Sequence, residues 1–249
     1  MENKRVPHTR ENDFTAELRT TRGIVRVNVA VVNSSRARNF RVRIAGKDSI
    51  TLTKPAYAPL KSATEFMHSI ADWIAEHLED APEKTDLRAY LEKHPTVEIG
   101  GEEKRVWLET SRTDSFFVED GKNVVFSVEQ NNADALGAVF RKFAESKISA
   151  LAERTARTLA IPYSAISVRD QSGRWASRSS SGTLSFNWRM VLLPQKYQNY
   201  IICHELAHVR FMDHSVSFWL WLNSFCPHAK RLDRELSKIS RGIFAVSLK

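Results

Sequence analysis

Apolar and polar residues alternate along residues 24–32 and again along residues 38–44. This is the period of a β-strand with one buried face. The polar segment Asn33-Ser34-Ser35 separates the two runs, so the pattern predicts a β-hairpin in which valines share one face and arginines the other. A third strand is expected at residues 49–53, and strand-like alternation returns over residues 96–128.

Other parts of the chain repeat their apolar residues with the period of an α-helix. Residues 183–188 alternate strictly between apolar and polar residues and are predicted to form a strand. No repeated segment is recognisable in the sequence. Strands followed by a mainly helical part are typical of an α+β fold. Helices are predicted at residues 59–78, 84–93, 131–159, 195–212, 216–225 and 229–242.

These elements suggest three segments. Residues 1–12 are polar and without period, which predicts a disordered tail. Residues 13–128 form a β-rich N-terminal region with one or two helices, and residues 129–249 form a helical C-terminal region with a bordering β-hairpin. No Pro/Gly/Ser-rich linker separates the two regions, so we expect the first to pack on the second.

The composition indicates a soluble globular protein. Of the 249 residues, 42% are apolar and 27% charged, and no apolar run reaches the ~20 residues of a membrane helix. The first residues lack the apolar segment of a signal peptide. Two cysteines are too few for a disulfide scaffold or a Cys-rich zinc site, so a cytoplasmic location is expected and any metal must use His and carboxylates.

The net charge of +8 is partly concentrated in residues 19–47, which contain eight basic residues and no acidic one. Two interpretations remain open. The run is either the solvated face of a sheet or a surface that attracts nucleic acid. The basic residues are Arg19, Arg22, Arg26, Arg36, Arg38, Arg41, Arg43 and Lys47.

Candidate chemistry is concentrated in residues 203–214. His204 and His208 are four residues apart, so on a helix both imidazoles lie on one face and can reach one zinc ion. Glu205 follows the first histidine and points roughly a quarter-turn aside, toward a metal-bound water rather than the metal. Zinc lowers the pKa of such a water to ~7, and Glu205 would accept its proton as general base.

His214 is the expected third ligand, six residues after His208. Six residues turn a helix by ~600°, so an unbroken helix would carry His214 away from the other two. We therefore expect the helix to end between Val209 and Asp213, with Ser215 capping the next helix. A carboxylate third ligand, Asp233 or Glu235, is the competing arrangement.

The neighbouring residues allow alternative roles. The strand at 183–188 could offer a free edge to an extended peptide or could belong to an ordinary hairpin. Asp213 is either a partner of a ligand histidine or a turn residue. Oxyanion stabilisation and simple packing are both open for Arg174, Arg189, Tyr197 and Tyr200.

Residues 174–219 resemble the YgjP-like branch of the SprT-like zinc metallopeptidases. The similarity extends more loosely over residues 20–240. One departure affects the loop near the site, where Ala176 and Arg178 stand at positions that are usually Gly and Cys. The matching pieces are Arg174-Trp175, the strand Leu184–Arg189, Pro194, Tyr200, His204-Glu-Leu-Ala-His208, His214-Ser215 and Phe218-Trp219.

The resemblance implies a zincin-like catalytic core within residues 129–249, with zinc on His204, His208 and His214 and Glu205 as base. A metallopeptidase that cleaves polypeptides is therefore the expected function. Two alternatives are a zinc-dependent nucleotide phosphohydrolase, with arginines in place of a phosphate-binding Gly loop, and an SprT-like protease associated with nucleic acid.

Overall fold

The computed structural model describes residues 10–248 and divides the chain into two compact units, Met1–Lys84 and Thr85–Lys249. The predicted division at residue 128 lies within the second unit, and both that division and the packing of the two regions stay predictions. Positions 1–9 of the expected tail lie outside the described residues, whereas Arg10 to Asn12 belong to the first strand.

The elements of the N-terminal unit are β1 (Arg10–Thr20), β2 (Gly23–Ser34), β3 (Arg41–Gly46), β4 (Ser49–Pro55), α1 (Leu60–Ser69) and α2 (Ala71–Glu79). Those of the C-terminal unit are β5 (Thr85–Asp86), α3 (Leu87–Lys93), β6 (Thr96–Ile99), β7 (Glu102–Ser111), β8 (Phe116–Asp120), β9 (Asn123–Glu129), α4 (Ala135–Leu159), β10 (Ala165–Arg169), β11 (Ala176–Arg178), β12 (Thr183–Asn187), a 3₁₀ helix (Trp188–Leu192), α5 (Gln195–Ala207), α6 (Val216–Phe225), α7 (Ala229–Phe244) and β13 (Val246–Ser247). This mixture of small sheets and helices confirms the α+β class.

The N-terminal unit is a four-stranded sheet with helices α1 and α2 on one face. Alternate residues of its strands point to the helices and form a core of their own, while the basic residues Arg26, Arg41 and Arg43 are exposed. The predicted separation of valines from arginines is thus confirmed. The buried residues are Ala16, Leu18, Val27, Val29, Val31, Ile50, Leu52, Ala63, Met67, Ala71, Ile74 and Leu78.

The predicted hairpin of residues 24–32 and 38–44 is wrong. The strand order is β1-β2-β4-β3, so β4 lies between β2 and β3 and pairs with β2 in parallel. Strand β4 contains the fully buried Ile50 and Leu52, whereas the residues of β3 are exposed or half-buried apart from Gly46. The more apolar strand therefore occupies the centre of the sheet, and β2 forms its hairpin with β1.

Helix boundaries also differ from expectation. The helix predicted at 59–78 is two helices, α1 and α2, which meet at the non-helical residue Ile70. Helix α3 begins at Leu87 because the Asp86 side chain accepts a hydrogen bond from the backbone N–H of Ala89 (2.9 Å). Helix α4 ends at Leu159, and its C-terminal cap, Ala160, has a left-handed backbone (φ 52°) two residues before Pro162.

The C-terminal unit contains a second four-stranded sheet with the same topology as the first. Its order is β6-β7-β9-β8, with an antiparallel, a parallel and an antiparallel pair, as in β1-β2-β4-β3. A helix again follows the fourth strand. The chain therefore repeats one supersecondary unit, which sequence inspection did not reveal.

Helix α4 joins this sheet to the part of the unit that contains the metal-ligand candidates. Phe140 and Phe143 both pack on Phe126 of the sheet (5.2 Å between ring centroids), and Phe140 also contacts the fully buried Trp188. A three-stranded sheet, β10-β12-β11, lies beside α4, and α5 packs against α4, α6, α7 and β11. Among residues 10–248, no helix combines the length and apolarity needed to cross a membrane.

Candidate metal centre

Three imidazoles converge at the C-terminal end of α5. The ring centroids of His204, His208 and His214 are 5.0 Å apart in each of the three pairs. Their candidate ligand atoms all lie within 4.8 Å of one another, and the Nε2 atoms of His204 and His214 are 3.0 Å apart. The structure thus brings together the three residues that the spacing singled out.

Helix α5 ends before His214, as the sequence requires, but it ends earlier than the predicted range between Val209 and Asp213. Helix α5 ends at Ala207, and His208 is its C-terminal cap. A tight turn follows in which the backbone N–H groups of Arg210 and Phe211 both donate to the Ala207 carbonyl oxygen. Ser215 then caps α6, accepting from the Phe218 N–H (3.4 Å), as expected. This turn carries His214 back toward α5.

One ring nitrogen of His208 is held by the backbone. Its Nδ1–H donates to the carbonyl oxygen of Phe211 (2.8 Å), which leaves Nε2 as the atom with a lone pair. The Phe218 ring stacks on the imidazole at 4.7 Å between centroids. The His208 side chain is therefore oriented by the same turn that ends the helix.

His204 is held in the same way by a side chain. Its Nδ1 lies 3.1 Å from the hydroxyl oxygen of Tyr200, one helical turn earlier. Burial, together with the neighbouring His208 and His214, lowers the pKa of His204 to about 3, and burial is also the main reason that the pKa of His208 is lowered. Both rings are therefore neutral at pH 7, the form that binds a metal.

Glu205 follows His204 in α5 and is buried, with 7% of its surface exposed. Burial raises the pKa of this carboxyl from its ordinary 4.5 to about 7, against the opposing influence of the Arg178 backbone N–H and the charges of Arg174 and Arg178. The carboxylate does not belong to the group of atoms that could share an ion. It is thus placed next to the histidine cluster without being part of it.

The donor set fits a zinc ion. Neutral imidazole nitrogens are common zinc ligands, and three of them leave a fourth position for water or substrate. His208 is buried, His204 is half-buried and His214 is exposed, so the cluster opens to solvent on the side of His214. A substrate could approach from that side.

Several other predicted site residues are engaged elsewhere. Arg189 is buried and donates to Asp170 (2.5 Å) and to the Val246 carbonyl oxygen (2.7 Å), so its guanidinium is held by these two groups. Asp213 accepts from the Ser215 N–H and is a turn residue. Arg174 remains exposed, on a loop whose Gln171 and Arg174 carbonyl oxygens accept from the Asn187 side chain.

The strand at 183–188 has no free edge. In the three-stranded sheet, β12 pairs with β10 in parallel and with β11 antiparallel, so the proposed pairing of a peptide with this strand is wrong. The short strand β11, residues 176–178, occupies the position that a peptide would have taken. Strand β11 lies within residues 168–181, which are rich in Ser, Arg and Gly and show no alternation of apolar and polar residues, so the sequence did not predict it.

The carboxylates proposed as competing ligands are bound to tyrosines. Asp233 accepts from the Tyr200 hydroxyl (2.8 Å), and Glu235 accepts from the Tyr197 hydroxyl (3.1 Å) and from Lys196 (3.2 Å). Neither belongs to the histidine cluster. Tyr200 precedes His204 by four residues and so lies on the same face of α5, but nothing in the sequence indicated its partner on α7.

An α+β unit with three clustered histidines beside a buried glutamic acid defines a protein with a candidate mononuclear metal centre. The YgjP-like metallopeptidase domain matches residues 38–239, which is most of the chain. The protein therefore belongs to the YgjP-like metallopeptidase family. This confirms the family suggested by residues 174–219, and the match begins at residue 38, within the N-terminal unit.

Two solved structures are also similar to a part of the chain. The metallopeptidase zymogen abylysin of Pyrococcus abyssi is 28% identical, with a TM-score of 0.34, over 38% of this chain and 96% of its own. The metallopeptidase zymogen jannalysin of Methanocaldococcus jannaschii is 25% identical, with a TM-score of 0.33, over 38% of this chain and 95% of its own. No curated protein matches the chain.

Proposed function

We propose that this protein is a zinc-dependent metallopeptidase in which His204, His208 and His214 hold the metal and Glu205 is the general base. The observation that carries the proposal is the convergence of three imidazoles, with candidate ligand atoms within 4.8 Å of one another, beside a buried carboxyl. Family membership supports the choice of a polypeptide as substrate.

The chain's own residues supply proton transfer. A carboxyl whose pKa is about 7 can accept a proton and return it near neutral pH, which is the property that a general base and acid requires. Zinc, when bound, supplies Lewis acidity that makes water a stronger nucleophile and polarises a carbonyl. His214 is exposed, so a peptide can reach the histidine cluster from solvent.

Metal content and activity test this proposal together. We expect about one zinc per chain by elemental analysis and hydrolysis of an unfolded protein such as casein. Glu205→Gln removes the proton acceptor but keeps the side-chain volume, and general-base catalysis typically contributes 10²–10⁴-fold to a rate. The variant should therefore retain its zinc and lose at least about 100-fold in activity. A chain without zinc, or a fully active variant, would contradict the assignment.

A zinc-dependent nucleotide phosphohydrolase is the second candidate. It is favoured by the positive charges of Arg174 and Arg178, which act on the Glu205 carboxyl and could attract phosphate. Arg189 does not contribute, because Asp170 and the Val246 carbonyl engage it. Nucleoside triphosphates should therefore be compared with casein under the same conditions. Phosphate release that depends on Glu205, without casein cleavage, would favour this candidate.

Association with nucleic acid is a separate proposal about the N-terminal unit. Arg26, Arg41 and Arg43 are exposed on the face of the sheet opposite α1 and α2. Arg26 is already paired with Glu17 (2.9 Å), which reduces the charge available to phosphate. Binding to duplex DNA that weakens steeply with salt would support the proposal, and absence of binding at low salt would leave the arginines as a solvated face.

A cytoplasmic location is consistent with two buried cysteines that form no disulfide. Localisation of the tagged chain in cells would test this point, since a secreted protein would be found outside.

A further inference from the structure

Two hydrogen bonds through one tyrosine connect the candidate ligand His204 to helix α7. The hydroxyl of Tyr200 lies 3.1 Å from His204 Nδ1 and 2.8 Å from the carboxylate oxygen Oδ1 of Asp233 on α7. Tyr200 is 3% exposed, and its ring meets the imidazole edge-on. Two successive hydrogen bonds therefore link Asp233 to Tyr200 and Tyr200 to His204.

The direction of the hydrogen bonds follows from the atoms available. A phenol has one proton, and a carboxylate can only accept, so the Tyr200 hydroxyl donates to Asp233. Its oxygen can then only accept from His204, which requires the proton of the imidazole to be on Nδ1. A phenol is ordinarily protonated at neutral pH, so Tyr200 keeps the proton that it donates.

This arrangement leaves His204 Nε2 with its lone pair, facing His214 Nε2 at 3.0 Å. His208 reaches the same result through a backbone carbonyl, since its Nδ1 donates to Phe211. Partners of this kind fix the tautomer and ring orientation of metal-bound histidines and raise their basicity. For His204, however, the partner is a tyrosine whose own orientation depends on another helix.

We propose that Tyr200 and Asp233 are positioning residues for the metal centre, and that α7 thereby sets its metal affinity. The inference rests on the proposed zinc site. Neither residue touches the metal position. Each acts through His204, by holding the proton on Nδ1 and the ring at the angle that directs Nε2 to the cluster.

The chain provides its own control one turn earlier on the same helix. Tyr197 donates to Glu235 of α7 (3.1 Å), which is the same phenol–carboxylate bond between the same two helices. Tyr197 is also buried, but within residues 10–248 no hydrogen bond connects it to a histidine. Tyr197→Phe thus removes an equivalent helix–helix contact without touching the candidate ligands.

The test is zinc affinity of the full chain, measured by competition with a chromophoric chelator at constant pH. Removing a partner of a ligand histidine typically weakens metal binding 10–100-fold. We expect that loss for Tyr200→Phe and for Asp233→Ala, and a change of less than about threefold for Tyr197→Phe. Asp233→Asn keeps an oxygen that can accept from the phenol, so it should lose less than Asp233→Ala. Equal affinities of Tyr200→Phe and Tyr197→Phe would overturn the proposal.

A second measurement does not depend on zinc. Ring ¹⁵N shifts in the metal-free chain report which nitrogen of His204 bears the proton. We expect the proton on Nδ1 in the unaltered chain and Tyr197→Phe, and a shift toward Nε2 in Tyr200→Phe. A proton on Nε2 in the unaltered chain would overturn the positioning role of Tyr200 and Asp233 even if zinc binds. Failure of the unaltered chain to bind zinc would overturn the metal site, and with it that positioning role, whichever nitrogen is protonated.

Discussion

Glu205 is a buried carboxylic acid in helix α5, and its protonation should affect stability as well as chemistry. Burial favours the neutral acid in the folded chain, so the pKa there is about 7, against 4.5 for an exposed glutamate. The stabilising effect of the neutral form is complete below pH 4.5 and is lost as the pH rises through 7. The difference corresponds to at most about 3 kcal/mol.

We therefore predict that metal-free Glu205→Gln is more stable than the metal-free unaltered chain at pH 8, and that the gap closes toward pH 4.5. The glutamine stays neutral at every pH, whereas the glutamate must ionise inside the fold. Urea unfolding of both proteins at a series of pH values measures the gap, because the other titrating groups are common to both. Parallel stability curves over this range would contradict the raised pKa.

The site residues show how far sequence spacing can reach. His204 and His208 were predictable because a helix places residues four apart on one face, and Glu205 because it directly follows the first histidine. His214 was predictable once the helix was required to end, although the end lies at Ala207 rather than after Val209. The role of Tyr200 was not, because its partner Asp233 is 33 residues away and only the packing of α7 on α5 brings the two together.

Two glycines in helices allow a matched test of packing. Gly137 lies in α4, where an added Cβ would overlap the carbonyl oxygen of Leu248 at the end of the chain. Gly242 lies near the end of α7 and has no atom within 4 Å of the position of such a Cβ. Both substitutions by alanine gain up to ~1 kcal/mol from helix propensity.

We predict that Gly137→Ala destabilises the protein by about 1–2 kcal/mol, because the overlap with backbone costs more than the propensity gains. Gly242→Ala should instead stabilise it by roughly 0.5–1 kcal/mol. Thermal or urea unfolding of the two variants in parallel provides the measurement. A stabilised Gly137→Ala would mean that Leu248 moves aside at little cost and that the C-terminal segment is loosely held.

Local period identified the helical regions and the longer strands of the two four-stranded sheets except β1, but not how the strands are ordered. The alternation in β2, β3 and β4 gave three strands correctly, while their pairing depended on which strand is most buried in the assembled sheet. Strand β1 was missed because its first residues are charged and read as a tail. Strand pairing is a property of residues far apart in the chain, so a pattern within one segment does not determine it.

The molecule as a whole contains the same four-stranded topology twice, with different chemistry on each sheet. The outer face of the first sheet displays arginines, whereas the second has Trp107, Phe116 and Val118 among its exposed residues. Each unit also has its own core. Because the cores are separate, a fragment that keeps one whole unit is expected to fold without the other.

We predict that residues 85–249 fold alone and bind zinc, whereas residues 129–249 do not fold cooperatively. The longer fragment keeps the sheet on which α4 packs, while the shorter one removes Phe126 and uncovers Phe140 and Phe143. Circular dichroism during urea unfolding, combined with zinc titration, distinguishes the two fragments. A cooperative 129–249 fragment would instead support the division expected from the sequence.

The three candidate ligands all come from residues 204–214, a stretch of eleven residues. An ion bound there closes only a short loop. Closing a short loop restricts the chain little, so the ion adds little to the stability of the fold through this effect. The large buried side chains of the unit, such as Trp188 and Phe186, lie in other segments and form the core without it. The protein should therefore fold before it binds an ion. A chelator should abolish its activity without unfolding it.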